Sequence, residues 1–363
     1  MDILKYKIMK VNLLTLAVAF TLLGALSSCG TGSATDPNAV KPLYVTDPVK
    51  YDTDDPAIWV NPDNPAESLV LGTDKDEDGA LYVYDLKGKV LEDKVVRNLK
   101  RPNNVDVAYG LSLGGKQVDI AVLTERFTHK LRIYSLPDMK PIDNGGLEMF
   151  EGETGEEWRA LMGIALYTNE AGDIYAVVGR KAGPTDGTYL WQYLLEDNGS
   201  GAVQATLARK FGEFSGKKEI EAIAVDNELG YIYYSDEQHG VRKYYADPAK
   251  GNEELALFAT NGYKEDNEGI SFYKTSDTTG DILVSDQSAN QFKVYKREGG
   301  LTPHSHEELA SIPVSTNNSD GSETVAIPLN EDFQHGLFVA MSDDKTFHYY
   351  RWEDIAGTTL EIN

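Results

Sequence analysis

The chain has 363 residues, a formal net charge of −24 at pH 7 and one cysteine. So large an acidic excess argues against direct binding to nucleic acid or an anionic lipid surface, and it repels a phosphorylated ligand unless cations stand between them. One cysteine excludes an intramolecular disulfide, so an exported form must draw its stability from its core.

Residues 1–28 read as a lipoprotein signal peptide. Lys5, Lys7 and Lys10 precede an apolar run from Val11 to Leu26, and Leu26-Ser27-Ser28-Cys29 follows. A charged start, a short apolar centre and small residues before a cut define such a signal. The run is shorter than the ~20 residues of a membrane span, and Thr and Gly interrupt it. The Leu26–Cys29 stretch resembles a bacterial lipobox, which makes Cys29 the lipidated first residue of a protein anchored in the cell envelope, periplasmic or on the outer-membrane surface. Ordinary cleavage and secretion is the alternative. Residues 29–40 are small and polar and read as a flexible tether. Residues 41–363 read as one domain.

An aromatic strand recurs six times within that domain. Tyr84, Tyr134, Tyr193, Tyr244, Tyr295 and Tyr349 mark it, at steps of 50, 59, 51, 51 and 54 residues. A period near ~50 residues with several short strands per unit predicts an all-β, six-bladed β-propeller with four-stranded antiparallel blades. The last blade needs a strand from elsewhere in the chain, supplied by Leu43–Val45 or by Thr359–Ile362.

Each predicted blade opens on acids or amides and ends its second strand in polar residues. In chain order these are Asp54 and Asp55, then Lys75; Asn103, Asn104 and Asp106, then Glu125 and Arg126; a third blade ending in Arg180 and Lys181; Glu219 and Glu221, then Asp236 and Glu237; Asp266 and Glu268, then Asp286 and Gln287; Asp320 and Glu323, then Asp343 and Asp344. Antiparallel strands reverse direction, so the start of one lies beside the end of the next. All these groups therefore face one rim, with a carboxylate arc beside a cationic arc.

Asp54, Asp55, Glu221, Glu237, Asp266, Glu268, Gln287 and Asp320 offer hard oxygen donors. Such a set suits Ca²⁺, which takes six to eight oxygens in irregular geometry. The six histidines show no zinc spacing, and neither a G-x-S-x-G elbow nor a phosphate-cradling glycine loop is present. Crowded carboxylates without cations raise one another's pKa. Several bound calcium ions relieve this, and Lys75, Arg126, Arg180 and Lys181 can then grip phosphate. Singly, each of these residues also reads as an ordinary turn former or surface charge.

The stretches DDPAIWVNP, NNVD, EAIAVDNELG with YYSDE, DNEGISFY, SDQS and GLFVA, in this order, resemble the β-propeller phytases, calcium-dependent alkaline 3-phytases. The resemblance covers Asp52 to Ile355. It implies hydrolysis of calcium-bound myo-inositol hexakisphosphate by a calcium-activated water. By position, Asp55, Glu221, Glu237, Asp266, Glu268, Gln287 and Asp320 would hold calcium, and Lys75, Arg126 and Lys181 would bind phosphate beside Asn103, Asn104 and Asp106, with Arg180 as the alternative to Lys181. Lys75, Arg126, Glu221 and Glu237 form the expected catalytic group. Two positions depart from the family pattern: Asp76 stands where a second lysine is common, and Met162 where a tyrosine is. No general acid is identified. The expected partner is the inositol phosphate, with a monomeric enzyme touching membrane only through its lipid. The rival readings are a calcium-dependent propeller lactonase or phosphotriesterase, with one deep central metal, and a non-catalytic binding lipoprotein.

Overall fold

The computed structural model describes residues 36–363; the signal-peptide reading, Cys29 and most of the tether fall outside them. Six antiparallel sheets succeed one another along the chain. Blade one comprises Thr53–Trp59, Leu69–Asp74, Gly79–Tyr84 and Val96–Leu99. Blade two comprises Pro102–Leu113, Lys116–Glu125, Lys130–Leu136 and Leu147–Glu148, with the short Lys140–Pro141 as a fifth strand. Blade three runs Leu161–Thr168, Ile174–Arg180, Leu190–Asp197 and Val203–Phe211. Blade four runs Ile223–Asp226, Tyr231–Asp236, Gly240–Tyr245 and Ala256–Phe258. Blade five runs Asn267–Lys274, Gly280–Asp286, Gln291–Lys296 and Glu308–Pro313. Blade six has Ser322–Val325, Leu337–Ser342 and Thr346–Arg351.

Of the two expected closures, the N-terminal one forms. Tyr44–Val45 completes blade six, with Tyr44 opposite Tyr349 and Val45 opposite His348. The Thr53 hydroxyl of blade one donates to the Ser342 carbonyl of blade six at 2.7 Å. The C-terminal segment packs instead of pairing: Trp352 stacks on Tyr273 with ring centroids 3.6 Å apart, and its Nε1 donates to the Glu361 carbonyl at 2.9 Å.

The innermost strands neighbour one another in chain order, and that of blade one meets those of blades two and six, so the ring is complete. Side chains alternate across each sheet, and the apolar ones form six layers, one between each adjacent pair of blades. All six marker tyrosines are buried in these layers. A fully buried Leu or Phe gains ~1.5–3 kcal/mol over an exposed one, against ~0–1 kcal/mol for a surface ion pair. The layers therefore hold the molecule together, and the channel mouth is free to carry charges that repel.

Candidate metal centre and phosphate site at the channel mouth

Every innermost strand starts at the same mouth. Asp54 and Asn103 are the second residues of theirs, Asp266 and Glu268 flank Asn267, and Glu221 and Asp320 each precede theirs by two residues. Lys75, Glu237 and Gln287 directly follow the second strands of blades one, four and five, which end at that mouth. The sequence-predicted rim is thus one place in the fold.

Two linked centres occupy it. In the first, the Lys75 ammonium is ion-paired with Asp54 and lies 3.5 Å from Asp320 Oδ2. Asn103 Nδ2 donates to Asp54 Oδ2 at 3.0 Å and to Glu221 Oε1 at 2.6 Å. The Gln287 amide donates to Asp320. In the second, Glu237, Asp266 and Glu268 bring ligand-capable oxygens within 4.8 Å of one another, and so do Glu219, Glu221 and Glu237. Lys181 is ion-paired with Glu219.

Burial dominates the electrostatics. It pushes Asp54 and Glu268 well above the usual carboxylate range, Glu237 up to about 8 and Asp320 up to about 6. Burial pushes Glu221 up as well, but Lys75 and Arg126 outweigh it and hold this carboxyl low. Lys75 is the converse case: burial disfavours its charge, yet Asp54, Glu221 and Asp320 keep it firmly protonated.

The donor set fits a hard cation. Glu237 Oε1, Glu268 Oε2 and Asn103 Oδ1 are all buried with no hydrogen-bond partner among the described residues. Buried polar atoms are nearly always satisfied, and three orphaned oxygens at one mouth are what an oxygen-coordinated ion such as Ca²⁺ would satisfy.

Five residues lie elsewhere than expected. Arg180 is not on the rim. It is fully buried, and its guanidinium donates to the carbonyls of Tyr189, Trp158 and Thr188, pairs with Glu153 at 3.2 Å and packs over the Phe150 ring. That leaves Lys181 as blade three's cation at the mouth. Asp106 points into the channel below the rim, where it accepts from the backbone of Val107 at 2.6 Å and of Leu166, in blade three, at 2.7 Å. Asp55 also lines the channel, with Asn104 and Glu323, and accepts from the Val105 amide at 3.0 Å. Burial holds Asp106 at about 7 and Glu323 at about 8.

Arg126 is buried at the mouth with its Nη2 against the Met162 sulfur and its Nε unpartnered. Glu219 was expected on the rim through its two-residue spacing to Glu221 but not among the metal donors, and Lys218 was not expected there at all. Lys218 carried no signal, because it sits in a loop outside every strand.

The phytase family model matches residues 9–354, and the chain belongs to that family. It is 28% identical over 333 residues to the 3-phytase of Bacillus subtilis (strain 168), covering 86% of this chain and 83% of that protein. Among solved structures it is similar to the WD40 β-propeller domain of Doa1, with a TM-score of 0.49, 9% identity, and coverage of 85% of this chain and 95% of that one.

Proposed function

We propose that the protein is a calcium-dependent 3-phytase, a phosphomonoesterase that converts myo-inositol hexakisphosphate, presented as its calcium complex, to lower inositol phosphates and phosphate. The observation that carries this reading is the juxtaposition at one mouth of orphaned, buried carboxylate oxygens on Glu237 and Glu268 with the cations Lys75 and Arg126. Family membership supports the reaction class.

Glu221, Glu237, Asp266, Glu268 and Asp320, with Asp54, Asp55 and Gln287 beside them, are the groups that would hold calcium. Bound calcium supplies charge neutralisation of the substrate and acidifies water at the mouth, so an alkaline optimum is expected. Lys75 and Arg126 bind phosphate oxygens, and Lys181 does so on leaving Glu219. Asn103 fixes Asp54 and Glu221 relative to each other, which sets the spacing between the phosphate-binding lysine and the carboxylates. A lactonase-like site would not need this cationic arc. In the cell the enzyme is exported and anchored through Cys29, acting as a monomer.

Phosphate release from phytate tests the reading. Activity with added Ca²⁺ that is lost on chelation and regained on readdition is the expected result; release indifferent to chelation rejects it.

A further inference from the structure

Lys218 lies in the irregular loop that leads into blade four, and its ammonium reaches into the Glu237–Asp266–Glu268 cluster. It stands 2.8 Å from Glu237 Oε2, 2.5 Å from Asp266 Oδ2 and 3.9 Å from Glu268 Oε1. Gln238 Nε2 donates to the other Asp266 oxygen at 2.9 Å. Glu237 Oε1 and Glu268 Oε2 remain without partners although both side chains are at least nine-tenths buried. One ammonium offers three protons and a single charge. It cannot satisfy three carboxylates, and burial of the remaining charge is unfavourable.

A divalent cation accepting six to eight oxygens matches the cluster better. The two cannot share it, since the ammonium lies close to every carboxylate that would ligate the ion. Lys218 is able to leave: its side chain is 38% exposed and its backbone is not in a strand, whereas Lys75 is held at a strand end with 13% exposure.

We infer that Lys218 is a tethered counter-cation: it holds the Glu237–Asp266–Glu268 cluster together before metal arrives and is displaced when a divalent ion enters. Calcium affinity at this cluster is then set by competition with the chain's own lysine. The role rests on the proposed calcium reading, and the two can fail separately.

The test is calorimetric titration of the metal-stripped full chain with CaCl₂, without substrate. Lys218→Met and Lys218→Gln should each bind calcium at this cluster at least ~10-fold tighter than the parent, ~1.4 kcal/mol. Both should melt lower than the parent without metal and level with it at saturating calcium. In a Glu268→Gln background the gain should vanish. If Glu268→Gln weakens calcium binding but neither Lys218 variant strengthens it, the competition is refuted while the metal site stands. If Glu268→Gln leaves calcium binding unchanged, the cluster is not a calcium site and both readings fall.

Discussion

The side-chain amide of Asn103 donates to Glu221 Oε1 at 2.6 Å across 118 residues of sequence. Its other contact, Asp54 Oδ2 at 3.0 Å, makes it the bridge between the carboxylates of blades one and four. Both acids face Lys75, so this one amide sets how far the Lys75 ammonium lies from the acids of the mouth. A ring of separate blades has few such direct links at its mouth, and this one spans blades that do not neighbour each other.

Glu221→Gln keeps an oxygen to accept from Asn103 and removes the charge that Lys75 and Arg126 stabilise. Turnover of phytate should fall at least ~100-fold, ~2.7 kcal/mol of barrier. The melting temperature should stay within a few degrees, because the apolar layers are untouched. Steady-state kinetics and a thermal melt check this together; a fully active variant removes Glu221 from the site.

On the proposed reading, the raised carboxyls tie calcium binding to pH. Burial sets Glu237 at about 8 and Asp320 at about 6, so below these values the acids hold protons that a metal must displace. Calcium affinity should therefore climb as pH rises from about 6 through about 8. Titrations at neutral pH in two buffers of different ionisation enthalpy should report proton release. An affinity that is flat across this range would mean the acids are already ionised.

The blades and the shared mouth were legible because each depends on a period. Tyrosines recurring in the third strand fixed the repeat, and antiparallel reversal carried the acids at Asp54, Glu221, Asp266 and Asp320 to one end. Arg180 was not legible for the complementary reason. A shift of one residue at a strand end turns a side chain to the opposite face, and Lys181, not Arg180, faces the mouth. Asp106 lies two residues past Asn104 along the same innermost strand, so it descends into the channel. Lys218 has no periodic neighbour to betray it, since its position depends on a loop path. Cys29 falls outside the described residues.

Asp76 places a negative charge beside Lys75. It is half-buried, and its carboxylate accepts from the Asp78 amide at 3.1 Å. Asp76→Lys removes a negative charge and adds a positive one next to Lys75, so on the proposed reading KM for phytate should fall several-fold and become more sensitive to salt. The lost turn hydrogen bond should lower stability by ~0.5–1.5 kcal/mol. An unchanged KM at low ionic strength would show that this edge of the mouth does not meet the substrate.

Lys243, between blades four and five, gives a stability signature independent of metal. It is fully buried over the Tyr231 ring and donates to the Pro303 carbonyl at 2.7 Å. His306 places Nδ1 at 2.7 Å from the Lys296 carbonyl, which assigns the proton there and leaves Nε2 to accept from Lys243 at 3.2 Å. Burial pulls Lys243 down to about 8 from its ordinary 10.5. Between these values the unfolded chain holds a proton that the native state has released, so stability rises with pH across that window, by up to about 3 kcal/mol. Below it both states are protonated and no slope arises. Urea unfolding of the parent and of Lys243→Met should diverge in favour of the parent as pH rises from about 8; parallel profiles would show that Lys243 titrates normally.

Gly321 is where blade six meets blade one. A Cβ there would press on Asp55 Oδ1 and lie 2.8 Å from the Asp54 carbonyl oxygen. Gly163 stands in the same relation to the Glu221 carbonyl of the next blade. At such a contact the backbone carrying the acids is held by the absence of a side chain, so a methyl group must move the acids themselves. Gly321→Ala should cost ~1–3 kcal/mol of stability by overpacking. It should also weaken calcium binding at least ~10-fold, since Asp54 would leave Lys75 and Asn103 together. Chemical denaturation and a calcium titration on the same preparation separate the two effects. Lost stability with intact calcium affinity would mean that the mouth tolerates displacement of Asp54 and Asp55, and that calcium binding rests on blades four and five alone.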